Sequence, residues 1–273
     1  MTAGSLDFIV PLFVPAHRPE RFGKAAAAEP DAVILDLEDA VPLDAKAQAR
    51  DALRTDFTSL PILVRINAAG TPWHADDLAV VARLRPAAVL LPKAERPETL
   101  AAVATHLGLD VTILALVETA LGLAHARALA AHPAVCRLAF GSVDFCADLG
   151  CAHVREALLS ARSELVLASR LAGLPAPLDG VTTRIDAPDE AEDDARYAAA
   201  LGFGGKLAIH PRQIAPIHAG FRPSPEDIRW AERVIASGDG AAAVDGAMVD
   251  EPVRVRARSI LARARRGSAP PDA

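Results

Sequence analysis

Eight short apolar runs, most of them followed by a stretch of helical character, organise most of this 273-residue chain. The runs are "FIVPLFV" (8–14), "AVILDL" (32–37), "PILVRIN" (61–67), "AAVLLPK" (87–93), "VTILALVE" (111–118), "CRLAFG" (136–141), the weaker "LDGVTT" (178–183) and "GKLAIHP" (205–211). They are continuously apolar rather than alternating. That is the pattern of parallel strands buried on both faces. Segments such as "RPERFGKAAAAE" (18–29), "RPETLAAVATHLG" (96–108), "LGLAHARALAAHP" (121–133) and "REALLSARSELVLASRLAG" (155–173) read as the intervening helices. Eight β-then-α units predict an α/β fold, a TIM (β/α)8 barrel. A doubly wound open sheet is the rival, but no G-x-G-x-x-G follows the first run.

Past the eighth run, "RPSPEDIRWAERVIAS" (222–237) predicts a helix capped by Ser224, with Asp227 in the partner position of a capping box. "SGDGAAAVDGAMVDEPV" (237–253) reads as a Gly- and Ala-rich linker, and "RVRARSILARARR" (254–266) as a basic amphipathic helix. Its charge fits a solvated face, with an anionic partner as the alternative. The expected organisation is a catalytic barrel over 1–222 and a C-terminal helical extension over 223–273, acting as a lid, an oligomer arm, or both.

In a TIM barrel the active site lies at the C-terminal ends of the strands. Those ends are rich in ionisable groups here: Arg18 and Lys24 after the first run, Asp36, Glu38 and Asp39 at the second, and Arg65 with Asn67 at the third. Lys93 ends the fourth run, Glu118 and Thr119 the fifth, Ser142 and Asp144 the sixth, and His210 the eighth. Charges at a closed barrel mouth carry desolvation costs, so packing alone does not account for them. Glu118 and Asp144 end neighbouring runs. Two carboxylates with waters and substrate oxygens suit Mg2+, which seldom takes an all-protein cage. The planar fork of Arg65 suits a carboxylate, either the substrate's or that of a second-run acid. Glu38 and Asp39 are placed to bind metal waters and to orient Arg65 or Lys93.

The net charge of −6 offers no basic face before the last helix, so nucleic acid is not an expected partner. Three cysteines, Cys136, Cys146 and Cys151, with no C-x-x-C, fit reduced thiols in a cytoplasmic protein. The N-terminal apolar run is short, lacks a basic flank and is interrupted by Pro11 and Pro15, so neither a signal peptide nor a membrane span is expected.

In this order, "LFVPAHRPERFGKA", "DAVILDLEDAV", "VRINAAGTPW", "LPKAE", "ALVETALGL", "FGSVDFCADLG", "RSELVLASRLAGLPAPLDGV", "ALGFGGKLAIHPRQI" and "GAMVDEPVRVRARSILARA" resemble the citrate lyase beta-subunit-like proteins of the HpcH/HpaI aldolase superfamily. The resemblance implies a Mg2+-binding TIM barrel that cleaves or forms a carbon–carbon bond in citryl, malyl or citramalyl thioesters. It implies Glu118 and Asp144 as metal ligands and Arg65 as the holder of a keto-acid carboxylate. Arg18, Lys24 and the 205–211 loop, with His210, would line the thioester side. Asp250, in the C-terminal "MVD", would reach a neighbouring subunit's site in a homotrimer. The chain departs from the family at Ala16 and His17, and in "GSVDF", which adds Phe145.

The expected partners are therefore an acyl-CoA or acyl-carrier thioester and a keto acid such as oxaloacetate, pyruvate or glyoxylate. Arg65, Asp250 and Glu38 are the expected catalytic side chains, with Arg18, Lys24, Lys93 and His210 joining Arg65 in substrate binding. The rival readings are a thioester hydrolase or malate-synthase-like enzyme on the same site, a non-catalytic subunit binding keto acids or nucleotides, and a class II aldolase acting on free pyruvate.

Overall fold

The structure is a computed structural model and describes residues 6–108, 112–238, 240 and 242–266. Val111, at the start of the fifth apolar run, lies outside the described residues, as do residues 1–5 and 267–273. The eight runs form eight parallel strands: β1 Pro11–Pro15, β2 Ala32–Asp36, β3 Ile62–Arg65, β4 Ala88–Leu91, β5 Ile113–Val117, β6 Val135–Phe140, β7 Leu178–Asp179 and β8 Gly205–Lys206. They follow one another in sequence order. Leu12 pairs in parallel with Ala208, and the Phe13 N–H donates to Ala208 O at 2.9 Å, so the last strand meets the first. The predicted TIM barrel is present. The weakest run, the seventh, yields only two strand residues, because "GVTT" leaves the ladder at Gly180.

The barrel interior is filled by Ile34, Leu63, Leu90, Leu114, Leu116, Ala139, Leu178 and Leu207, all buried. Side chains two residues apart on a strand share a face. Asp36 therefore continues the inward row of Ile34, Arg65 that of Leu63, and Glu118 that of Leu114 and Leu116. The same alternation that builds the dry core carries these three charges to its upper end. At the other end, buried Arg137 donates to Phe8 O at 2.7 Å and Ala176 O at 2.6 Å.

The chain divides into two units, Met1–His218 and Ala219–Ala273. In the second, Ser224 caps the helix Pro225–Ala236 in a capping box with Asp227, as predicted. The segment expected to be a linker instead forms a hairpin, β9 Ala242–Val244 with β10 Ala247–Val249. Its turn, Asp245-Gly246, takes φ of +52° and +78°, the left-handed pair that an Asp-Gly hairpin turn requires. Arg254 further ties this segment down by donating to Gly238 O and Gly240 O at 2.7 and 2.6 Å. The helix Glu251–Arg266 buries Ala257 and Ile260 against Ala231, Val234 and Val249, so much of its apolar stripe is covered inside its own unit. Val255 stays exposed. No helix among the described residues is long and apolar enough to cross a membrane.

Candidate active site at the barrel mouth

The second strand ends in a carboxylate because Asp36 has a buried cation to meet. Arg65, one strand over, donates from Nε to Asp36 Oδ1 and from Nη2 to Asp36 Oδ2, both at 2.7 Å. Its Nη1 lies 3.3 Å from Glu38 Oε2 and 3.4 Å from Asp39 Oδ2, and its guanidinium stacks 4.8 Å over the Phe13 ring. Burial opposes the charge on Arg65, but Asp36, Glu38 and Asp39 outweigh it and hold its pKa above the usual value. One side of the fork is thus committed to Asp36, and only the Nη1 edge remains for a ligand.

Glu38 links this group to Lys93, whose Nζ lies 3.3 Å from Glu38 Oε1. Burial raises the Glu38 carboxyl to about 7, against the pull of Arg65 and Lys93. The loop that holds Glu38 is fixed from below by a side chain the sequence did not flag. Buried Lys46 donates 2.7 Å bonds to Leu37 O, Glu38 O and Asn67 Oδ1. Asn67 in turn donates to buried Asp77 at 2.6 Å. A lone Lys in the short segment 46–51 carries no sequence signal for such a role; only the fold turns it inward.

Glu118 follows β5 and is buried. Its Oε1 accepts the Lys93 N–H at 2.7 Å, while its Oε2 is buried with no hydrogen-bond partner. Burial first, then repulsion from Glu38 and Asp144, raises this carboxyl to about 8, although the Lys93 N–H and charge oppose the rise. Gly141 makes room for it: a Cβ there would lie 2.3 Å from Glu118 Oε2 and 2.5 Å from its Cβ. Asp144 is not at the strand tip itself. It sits in the first turn of the helix Ser142–Leu149, on the wall of a cavity of about 370 Å3 that Glu118, Arg65, Asp36 and Asp39 also line.

Among the described residues no group of three or more His, Cys, Asp or Glu side chains is arranged to hold a metal by itself. Of the four carboxylates on the cavity, Asp36 and Asp39 face Arg65, which leaves Glu118 and Asp144 as the donor set, Glu118 with an unpartnered buried oxygen. That fits a hard divalent cation completing its shell with water and substrate oxygen.

The other expected residues have local partners or surroundings of their own. Arg18 is exposed and pairs with Glu20 at 2.6 Å, and Lys24 is exposed on the helix Phe22–Ala26. His210 caps the short helix Pro211–Gln213, its Nδ1 accepting the Arg212 N–H at 3.2 Å. Asp250 lies in the second unit, where its Oδ1 accepts the Val253 N–H at 3.3 Å. A buried cluster at β7 and β8 carries no comparable signal in the sequence. There Arg162 donates to Asp179 Oδ1 at 2.8 Å, and Lys206 Nζ lies 3.4 Å from Asp179 Oδ2.

A closed (β/α)8 barrel with a mouth of interleaved acids and bases, and with Glu118 and Asp144 on one cavity beside Arg65, defines a TIM-barrel protein built to bind small anions beside a cation. The chain belongs to the HpcH/HpaI aldolase/citrate lyase family, whose model matches residues 10–211, and so to a family of carbon–carbon lyases. It is 42% identical over 264 residues to a citrate lyase subunit beta-like protein of Mycobacterium tuberculosis, covering 93% of this chain and 94% of that one. It is 35% identical over 267 residues to a (3S)-malyl-CoA thioesterase of Cereibacter sphaeroides, covering 93% of each. Among solved structures it is similar to protein CitE from Mycobacterium tuberculosis in complex with magnesium, acetoacetate and coenzyme A. The TM-score is 0.86 at 40% identity, over 96% of this chain and 99% of that one.

Proposed function

We propose that the protein is a Mg2+-dependent lyase that cleaves a 3-hydroxyacyl thioester of citryl-, malyl- or citramalyl-CoA type into a keto acid and a shorter acyl thioester. The observation that carries this reading is the buried, unpartnered Oε2 of Glu118 facing the same cavity as Asp144, beside Arg65. Glu118 and Asp144 would hold the metal. Mg2+ bound there supplies a Lewis acid that polarises the oxygen at the bond to be broken.

The chain's own groups do the rest. The Nη1 edge of Arg65 takes the carboxylate of the keto-acid half, while Asp36 and Phe13 fix the guanidinium plane. Glu38, with a carboxyl near 7, accepts the hydroxyl proton, and Lys93 beside it steadies the resulting charge. Cleavage leaves the electron pair on the thioester's α-carbon, which must be protonated. Asp250 from a neighbouring subunit of a homotrimer is the proposed acid. Arg18, Lys24 and the 205–211 loop with His210 are proposed on the side of the thioester, and the 223–273 extension as lid and oligomer arm. Cytoplasmic residence fits the free thiols of Cys136, Cys146 and Cys151.

The test is a panel of acyl-CoA substrates assayed with Mg2+ for keto-acid release, alongside Glu118→Gln. Gln keeps an oxygen for the Lys93 N–H but lacks the charge, so the variant is expected to fold, bind Mg2+ poorly and release no keto acid. A variant with wild-type rate and metal affinity would place the metal elsewhere. A wild-type protein that binds keto acids but turns over no thioester would support a binding subunit instead.

A further inference from the structure

Cys146 and Cys151 are free thiols brought together by the way their helix ends. The helix Ser142–Leu149 stops at Gly150, whose φ of +68° turns the chain back over the last helical turn. The Cys151 N–H then donates to Cys146 O at 3.1 Å. Standard bond lengths on either side of that hydrogen bond keep the two Cα atoms within about 7 Å, the outer limit for a disulfide. A helix end of this kind sets its two flanking side chains against each other. The Cys146 thiol has Ala152 O at 3.6 Å and the Cys151 thiol as neighbours. Cys146 is buried and Cys151 half-buried, so a reagent in solution meets Cys151 first.

We propose that Cys146 and Cys151 form a reversible disulfide, a thiol-redox site that staples the end of the helix on the cavity wall. That helix presents Ser142, Val143 and Asp144 to the cavity. Its last turn is tied to the mouth, because Asp148 accepts the Ala120 N–H at 2.7 Å, two residues past Glu118. The segment beyond Cys151 returns to the start of the helix, where His153 Nε2 lies 2.9 Å from Ser142 Oγ. A bridge at 146 and 151 therefore joins the two segments that hold this wall, whichever reaction the mouth performs. A cysteine pair that bridges reversibly in a reducing compartment acts as a sensor rather than a permanent brace.

The oxidant is a low-molecular-weight disulfide such as oxidised glutathione. The Cys151 thiol loses its proton and attacks one glutathione sulfur. The external sulfur–sulfur bond breaks, and the first glutathione leaves as a thiol carrying a proton. The Cys146 thiol then loses its proton and attacks Cys151 Sγ, and the second glutathione leaves in the same way. Two cysteine thiols are oxidised, one external disulfide is reduced, and both protons leave with the glutathione thiols.

The experiment equilibrates the full chain in buffers of stepped glutathione thiol-to-disulfide ratio, then alkylates free thiols and maps tryptic peptides. Residues 138–155 form one such peptide, holding Cys146 and Cys151 but not Cys136. The expected result is loss of two hydrogens on this peptide with no alkylation, while Cys136 stays alkylated once the chain is unfolded. The folded protein is expected to keep the bridge at a ratio at least about tenfold more reducing than the urea-unfolded chain does, because the fold holds the thiols together. Cys146→Ser is expected to stop at glutathione on Cys151. Hydrogen exchange at the Cys151 and Ala120 amides is expected to slow at least about tenfold on oxidation. No bridge in the folded wild type, a mixed disulfide as its end product, or a bridge no more persistent than in the unfolded chain overturns the proposal. A bridge that leaves both amides exchanging as before overturns its role as a staple.

Discussion

The backbone N–H of Lys93 donates to Glu118 Oε1 across 2.7 Å, from a residue whose φ is +45°. A lysine in the left-handed region is strained, and such strain persists where the surroundings impose it. Here it fixes one oxygen of Glu118 and leaves the other, buried and unpartnered, for a ligand. Two strands, β4 and β5, are thereby locked to one carboxylate at the barrel mouth.

That carboxylate makes metal binding pH-dependent. Its pKa is about 8 in the metal-free protein, raised from 4.5 by burial. Because the folded state holds the proton more tightly than the unfolded chain, this group's contribution to stability falls as pH rises from about 4.5 to about 8. A metal must displace the same proton. Mg2+ affinity is therefore expected to climb roughly tenfold per pH unit below about 8 and to level off above it. Calorimetric Mg2+ titrations at a series of pH values check this. A flat profile would remove Glu118 from the ligand set.

Gly141 offers a test that alters no ligand. A methyl there would stand 2.3 Å from Glu118 Oε2. Gly141→Ala is expected to push the carboxylate aside, destabilising the fold by about 1–3 kcal/mol as overpacking does, and to weaken Mg2+ binding beyond that seen for a change of equal stability cost elsewhere. Thermal unfolding with and without Mg2+ separates the two effects. An undiminished Mg2+ shift in Tm would show that Glu118 can move without loss.

Arg65→Lys keeps the charge and loses the planar fork. Both 2.7 Å bonds to Asp36 shrink to one, and the Nη1 edge disappears. Pyruvate or oxaloacetate binding in the presence of Mg2+ is expected to weaken by roughly 1.5–3 kcal/mol, the scale of a charge-assisted hydrogen bond. Equal keto-acid affinity in the two proteins would assign the carboxylate to another group.

The barrel was legible because its eight strands are continuously apolar, a pattern that few other folds produce. Asp36, Arg65 and Glu118 were legible because they end those runs in step with the inward faces. What escaped is what only tertiary structure supplies. Lys46 looks like any helical lysine until its three acceptors are seen. His153 stands eleven residues from Ser142 along the chain, and nothing in their spacing announces the hydrogen bond. Arg162 and Asp179 are likewise paired by the packing of a helix on β7. The hairpin at 242–249 is the exception: its Asp-Gly turn was written in the sequence but was masked by the surrounding alanines.

Asp250 poses the last question. Its Oδ1 accepts the Val253 N–H at 3.3 Å, and its carbonyl accepts the Arg254 N–H at 3.1 Å, so it caps the final helix whatever else it does. Capping leaves Oδ2 for other work. On either side of Asp250, Met248 and Val255 are 71% and 55% exposed, two large apolar side chains that another surface would cover. In a closed cyclic trimer that surface is the neighbouring subunit, and Asp250 would arrive at the neighbour's barrel mouth with them. The test mixes two inactive proteins, Asp250→Ala and Glu118→Gln, under conditions of proven subunit exchange. In a mixed trimer, a barrel from the Asp250→Ala chain keeps Glu118 and can borrow Asp250 from a Glu118→Gln neighbour. Random mixing in equal amounts then makes about a quarter of all sites complete, from the product of two independent halves, so roughly a quarter of wild-type activity is expected to return. A mixture that stays inactive would confine Asp250 to its own barrel or to capping alone.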